Sequence, residues 1–262
     1  NMDVLLFYIG CVHMRMGHHA MAILLFKKAM EVRPDFLAAI NNLGYIFKKE
    51  GIHYSCRDCF AEVIRIVESG TQEVPDKDKA EYYINFGSAL IANGSPKDAL
   101  EYFNKAEKYD EEKDILKWNR SLANLEIGDY ENGFREYDCG ERGDLSRRRL
   151  YRMDDKPDWD GTKGQRVIVY GEQGIGDEIM FASMVSDLIK DCPGMILDAH
   201  PRLANLFRQN FPDIPVYGTR KTEIKECYWL DQHQYDSKIA IGSLAKFYRK
   251  KKEDFPRIPY LF

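Results

Sequence analysis

Glycine, small and aromatic residues recur at fixed offsets through the first half of the chain and then stop. Counting from Gly10, the series Gly10, Gly17, Ala22, Phe26, Ala29, Pro34 returns 34 residues later as Gly44, Gly51, Cys56, Phe60, Val63. It returns again as Gly87, Gly94, Ala99, Phe103, Ala106, and more weakly as Ser121, Gly128, Gly133, Tyr137, Gly140, so the successive spacings are 34, 43 and 34. A period of this length, with small residues at two points and an aromatic between them, predicts stacked pairs of antiparallel helices. The small residues at the Gly10, Gly44 and Gly87 positions let the first helix of a pair (helix A) approach the second (helix B). Gly17, Gly51, Gly94 and Gly128 end helix A, where a left-handed cap favours glycine, and Pro34 follows the first helix B.

On those residues the first half resembles the tetratricopeptide repeat, TPR, over roughly residues 3–145, with about nine extra residues near Thr71 to Lys79. The resemblance implies four units and about eight helices, stacked into an arc whose concave face is lined by helix A. Two positions before the repeat glycine stand Asn42 and Asn85, with Asn119 at the matching place of the fourth unit and Tyr8 in the first. An asparagine amide both donates and accepts, so a row of them can hold the backbone of an extended peptide whatever its side chains. The same residues can equally serve helix packing. Protein or peptide binding by Asn42, Asn85 and Asn119 is the expectation carried forward.

Composition narrows the classes. Of 262 residues, 38 are Lys or Arg and 42 Asp or Glu, a formal charge of −4, so no global basic field speaks for nucleic acid. The basic runs Arg147–Arg148–Arg149 and Lys250–Lys251–Lys252 read as solvated helix ends. No apolar run approaches the ~20 residues of a membrane span, and the N-terminus has no basic-then-apolar leader, so a cytoplasmic protein is expected. Six scattered cysteines read as free thiols, and Cys56 with Cys59 lacks the second ligand pair a zinc site needs; no metal is expected. The chain opens Asn1–Met2 directly in a repeat helix, which leads us to expect a fragment of a longer polypeptide.

After Arg152 the phase is lost. An acidic, proline-bearing stretch, Asp154 to Gly161, marks a boundary, giving expected domains of 1–150 and 164–262 with a linker at 151–163. Val167–Tyr170 is a continuous apolar run of the kind buried on both faces of a parallel sheet. A helix follows with Phe181, Met184, Val185 and Leu188 at helical spacing. Further strands are expected at Met195 to His200, Ile214 to Gly218 and Lys238 to Gly242, and further helices over Arg202 to Asn210 and from Leu244. The alternation predicts a Rossmann-like parallel α/β domain, so that the fold class is a TPR α-solenoid followed by α/β.

Trp159–Asp160–Gly161, the strand, then Gly171–Glu172–Gln173–Gly174–Ile175–Gly176–Asp177, together with the closing Phe255 to Leu261, is similar to bacterial proteins that join TPR repeats to a GT-B glycosyltransferase domain of the heptosyltransferase type. Only the N-terminal half of such a domain follows the linker. The resemblance implies transfer of a sugar from a nucleotide-sugar donor to a sugar acceptor without a cofactor or metal, with donor binding mainly on the absent half. It implies Asp177 as the general base and Glu172, Gln173, Gly174 and Gly176 as acceptor-site neighbours. Two other readings of the glycine segment stay open. A dinucleotide site would use the glycines to admit a pyrophosphate and Asp198 to hold a ribose, but Asp177 and Glu178 occupy the helix start and would repel phosphate. Alternatively Asp177 is simply a helix cap. His200 and His233 at strand or loop ends are weaker candidates, and Trp118, Trp159 and Trp229 read as interface fillers. The rival functional class is a non-catalytic interaction scaffold, whose arc meets a protein, a glycan or a second copy of itself.

Overall fold

The computed structural model describes residues 1–110, 113–138, 155–171, 174–219 and 229–262. Its described residues form two compact units, 1–127 and 128–262.

The first unit is helical throughout. Its pairs are α1 (Met2–Arg15) with α2 (His19–Val32), α3 (Leu37–Lys49) with α4 (His53–Ser69), and α5 (Asp76–Ala92) with α6 (Pro96–Glu107), followed by α7 (Asp114–Ile127). The phased residues are the core: Ala22, Phe26, Ala29, Cys56, Phe60, Ala99, Phe103 and Ala106 are all buried. Gly10, Gly44 and Gly87 face Phe26, Phe60 and Phe103 so closely that a Cβ would stand 2.7, 2.8 and 2.4 Å from the ring. Past helix A the chain turns through Gly51 and Gly94 in the left-handed region, at φ +72° and +76°. The extra residues between the second and third pairs lengthen α4 and α5 to 17 residues each and leave a short loop, whose Val74 is buried with Leu37, Ile40, Val63 and Ile66.

The second unit opens with α8 (Tyr130–Glu136), capped by Asp129, whose carboxylate accepts from Asn132 N at 3.2 Å. The repeat phase carries the first domain to residue 150, whereas the compact division falls at residue 127. Its physical reason is the face of α8. Tyr130 and Phe134 pack against Phe255, Tyr137 meets Phe181, and Asp138 accepts from Lys246 Nζ at 2.9 Å and from Ser243 Oγ.

A parallel four-stranded sheet forms the rest, with β1 (Val167–Tyr170), β2 (Ile196–Ala199), β3 (Val216–Gly218) and β4 (Ser237–Ala240) in the order β3-β2-β1-β4. Register sets Ile168 beside Ile196 and Lys238, and Leu197 beside Val216. Short helices α9 (Ile175–Phe181), α10 (Val185–Asp191), α11 (Ala204–Asn210) and α12 (Ala245–Tyr248) accompany it. β1, β2 and β4 are buried along their whole length; β1 is apolar throughout, whereas β2 and β4 bury Asp198, Ser237 and Lys238 as well. Trp159 packs on Phe247 and Tyr248 within this unit and donates from Nε1 to Thr162 O at 2.8 Å. Buried Arg249 ties α10 to α12 through Asp187 at 2.9 Å and Ser183 O at 2.9 Å.

Candidate functional site

The groove between α1 and α3 is built by repeat geometry. Residues one and two turns apart on each helix share a side, which puts Cys11, Met14 and Arg15 opposite Asn42, Tyr45, Ile46 and Lys49. At one end Asn42 Nδ2 donates to Cys11 Sγ at 3.4 Å. Burial pushes the Cys11 thiol up, and the Asn42 contact and Arg15 only partly oppose it. At the other end lies a cavity of about 200 Å³ lined by Met14, Arg15, His19, Tyr45, Ile46 and Lys49.

This cavity combines an apolar floor with cations. Met14 and Ile46 supply carbon surface, while Arg15 and Lys49 are exposed and have no ion-pair partner among the described residues. His19 is held by Glu50 through Nδ1, and its buried Nε2 has no hydrogen-bond partner. Two cations beside a half-exposed tyrosine suit an anionic group on a partly apolar body. Sequence reasoning passed over this cavity, although the phase carries a signal for it: Arg15 and Lys49 each stand two residues before a helix-ending glycine, Gly17 and Gly51.

The asparagine row has other commitments. Beyond the Asn42 contact, Asn85 Nδ2 donates to Asn41 Oδ1 at 3.1 Å, and buried Asn119 Nδ2 donates back to Ile115 O at 2.7 Å. Each amide therefore makes one contact inside the solenoid. Asn42 and Asn85 bridge successive helices A, while Asn119 bonds within its own helix.

At the carboxyl end of β1, Gly171 N donates to Asp198 O at 2.8 Å and Ile241 N to Tyr170 O at 2.9 Å. Glu172 and Gln173 lie outside the described residues. Gly174 is the N-cap of α9, and its N–H donates to Asp177 Oδ2 at 3.1 Å, so Asp177 reaches back as the acidic half of a capping box. Gly176 is exposed, with open space where a Cβ would be. The carboxylate that points inward is Glu178. It is 1% exposed and accepts from His200 N at 2.7 Å, directly over Gly171. Its signal in the sequence is spacing: 178, 181, 185 and 188 share one helical stripe, and the last three are apolar and buried. Asp198 is fully buried and accepts from Thr219 N at 2.9 Å. His200 Nδ1 accepts from Arg202 N at 3.2 Å, His233 Nε2 pairs with Tyr217 Oη at 2.6 Å, and Trp229 stacks on Tyr217 while donating to Thr219 Oγ1 at 3.0 Å. Among the described residues, no three His, Cys, Asp or Glu side chains gather as a metal site. No helix of the described residues is long and apolar enough to cross a membrane.

Comparison with known proteins gives the class first. Residues 5–36 and 80–113 match the tetratricopeptide repeat, so the helical unit contains TPR units. Along nearly its whole length the chain is also similar to protein FlbA of Caulobacter vibrioides (strain ATCC 19089 / CIP 103742 / CB 15), 26% identical over an alignment of 263 residues, gaps included, that covers 95% of this chain. It spans 42% of that relative's length. Solved structures with a similar fold include YrrB, a TPR protein with an unusual peptide-binding site (15% identity, TM-score 0.44, 54% of this chain and 68% of that one). MamA is another (16% identity, TM-score 0.47, 56% of this chain and 76% of that one). A third is the N-terminal domain of stress-induced protein-1 from C. elegans (15% identity, TM-score 0.41, 46% of this chain and 93% of that one).

Proposed function

We propose that the helical unit is a protein-binding module whose α1–α3 groove takes an extended acidic segment of a partner. The carrying observation is the cavity of about 200 Å³ whose lining sets Arg15 and Lys49 beside the apolar Met14 and Ile46. TPR units as a class serve interactions between proteins, and the overall charge of −4 makes this local cationic patch the more selective for an anionic side chain. Asn42, one to two turns from Tyr45 and Lys49 on α3, keeps its carbonyl oxygen and second N–H for the partner's backbone. The test is a fluorescence titration of the chain with matched acidic, neutral and basic hexapeptides. Acidic peptides bind best, and Arg15→Glu with Lys49→Glu weakens them at least tenfold without changing the circular dichroism spectrum. Equal binding of all three peptides, or acidic binding that survives the double reversal, overturns the assignment.

A second reading concerns the α/β unit: sugar transfer in a longer polypeptide, with Asp177 as the base and the glycine segment admitting the acceptor. It is supported by the place of that segment, at the carboxyl end of β1, which lies between β2, the next strand in the chain, and β4, reached by the crossover from β3, where the strand order reverses and open α/β sheets hold ligands. The capping contact with Gly174 competes for the same carboxylate oxygen. Asp177→Asn in the longer enzyme lowers turnover roughly 100-fold if the residue is the base. Turnover near the parent value with a lowered melting temperature assigns it to the cap instead.

A further inference from the structure

The gap between α3 and α5 is bridged by two side-chain contacts, Asn85 Nδ2 to Asn41 Oδ1 at 3.1 Å and Lys48 Nζ to Ser88 Oγ at 2.8 Å. The second contact falls at a place already met in the preceding gap. Ser88 stands 43 residues after Tyr45, the offset that carries the second repeat unit onto the third, and Tyr45 lines the cavity between α1 and α3. The Lys48 ammonium therefore lies where the α3–α5 gap repeats the tyrosine edge of that cavity.

A cation at this place is under-compensated. Lys48 has no ion-pair partner among the described residues, and the hydroxyl that accepts from it is neutral. Loss of water around the ammonium pushes its pKa down, with Cys56 opposing the shift. The residue is nonetheless exposed, so an anion can reach it. A cation that has shed water without gaining a carboxylate has more to gain from one than a fully hydrated lysine. The next gap, between α5 and α7, is of another kind. There the positions of Lys48 and Ser88 fall on Ile91 and Leu122, and the position of Lys49 falls on exposed Glu126.

We infer that the groove holds two acidic side chains of one partner segment, the first against Arg15 and Lys49 between α1 and α3, the second against Lys48 and Ser88 between α3 and α5. This rests on the reading of the groove as a site for an acidic segment, and it adds the spacing of the acids. Packed helices stand roughly 8–10 Å apart, so the two subsites are separated by about one such step. A segment in the polyproline II conformation rises about 3.1 Å per residue with three residues per turn, which brings residue i+3 back to the same side about 9.3 Å further on. In a β-strand the same side recurs at i+2, after only about 6.6 Å, and at i+4, after about 13 Å. The selected pattern is acid-x-x-acid. It stops at two acids, because Ile91 and Leu122 offer carbon to whatever follows and Glu126 repels a third carboxylate.

Fluorescence anisotropy of the 262-residue chain with labelled peptides of equal length tests it. One peptide is neutral, one carries a single glutamate, and three carry two glutamates at i and i+2, i+3 or i+4. Those three have the same charge, so only spacing separates them. The i,i+3 peptide is expected to bind about tenfold more tightly than the single-glutamate peptide, and the other two spacings to gain less. Lys48→Gln removes that gain, so that the variant binds the i,i+3 and single-glutamate peptides alike; Lys48→Met takes its place if circular dichroism shows the glutamine variant misfolded. A single-glutamate peptide bound no better than the neutral one removes the underlying reading and this one with it. A single-glutamate peptide that is preferred over the neutral one, while the second glutamate adds as much at another spacing or the i,i+3 gain survives the loss of Lys48, overturns the second subsite alone.

Discussion

Alanine at Gly87 isolates the reason the repeat keeps a glycine there. A Cβ on this residue lies 2.4 Å from Phe103 Cε1 and 2.8 Å from its Cζ. Non-bonded carbons rest at ~3.5–4.0 Å, so the ring has to recede by about 1 Å. Phe103 is fully buried in a cluster with Cys56, Phe60, Ala99 and Ala106, which gives it nowhere empty to go. Overpacking costs roughly 1–3 kcal/mol, and a ring that has to recede by about 1 Å lies in the upper part of that range, at ~2–3 kcal/mol. Alanine recovers about 1 kcal/mol of helix propensity relative to glycine, leaving a net destabilisation of about 1–2 kcal/mol. Urea denaturation followed by linear extrapolation measures it, and amide exchange should place the loss in α5 and α6. The cause is separable by a double-mutant cycle: combined with Phe103→Leu, which frees space at that ring edge, Gly87→Ala should cost at least ~1 kcal/mol less than it does alone. A Gly87→Ala chain as stable as the parent, or additive with Phe103→Leu, refutes the steric account.

In the α/β unit, a Cβ on Gly171 falls 2.1 Å from the Glu178 carboxyl group, so Gly171→Ala should cost about 3 kcal/mol by displacing that carboxylate from His200 N, whereas in a Glu178→Ala background, where that bond is already lost and the clash is gone, the same substitution should cost less than ~1 kcal/mol, both read from urea midpoints. Replacing Asn42, Asn85 and Asn119 together by alanine should cost stability of ~1 kcal/mol per lost bond, because each amide already donates within the solenoid; a triple variant with unchanged stability but weakened peptide affinity assigns the row to the partner instead. Burial pushes the Cys59 thiol up to about 11, with Cys56 and Asp58 adding to the rise, so iodoacetamide at pH 8 should modify it on the order of 100-fold more slowly than an unperturbed thiol, as mass spectrometry of the labelled peptide would register. Cys11, Cys56 and Cys192 are raised in the same direction, and a thiol whose folded pKa lies above its unfolded one favours the folded state only until the unfolded chain begins to lose its proton. Stability should therefore hold below pH 8.5 and decline from there toward pH 11, and a flat profile across that window contradicts the burial of these thiols.

What could be read from the chain and what could not divide along a physical line. The helix pairs were legible because each depends on a residue type repeated at one offset, and Phe26, Phe60 and Phe103 do meet Gly10, Gly44 and Gly87. The strand at Val167–Tyr170 was legible because a central strand buried on both faces is here apolar at all four positions. Ends were less so: the second strand covers Ile196–Ala199 rather than Met195 to His200, and the fourth stops at Ala240 because Gly242–Leu244 turns into a 3₁₀ helix. The place of α8 was hidden, since its attachment rests on aromatic contacts with Phe255 and Phe181 more than 40 residues away in sequence. Site chemistry was hidden for a related reason. Asp177 and Glu178 are neighbours of identical charge, and only the three-dimensional turn decides that one reaches back to Gly174 N while the other is buried under Gly171. The cationic cavity needs side chains from three helices, so no single segment announces it.

The turns at Gly51 and Gly94 carry a consequence of their own. A Cβ at either would meet nothing within 4 Å, yet the backbone there sits at φ +72° and +76°. These two residues are glycine for handedness alone, whereas Gly87 is glycine for volume alone. Mirror-image chemistry tells the two apart: a D-alanine ligated at position 51 or 94 finds its natural backbone angle and free space, and should raise stability by roughly 0.4–1 kcal/mol by stiffening the unfolded chain, while L-alanine at the same place strains it. The solenoid thus contains positions where an achiral residue stands in for one the genetic code does not supply.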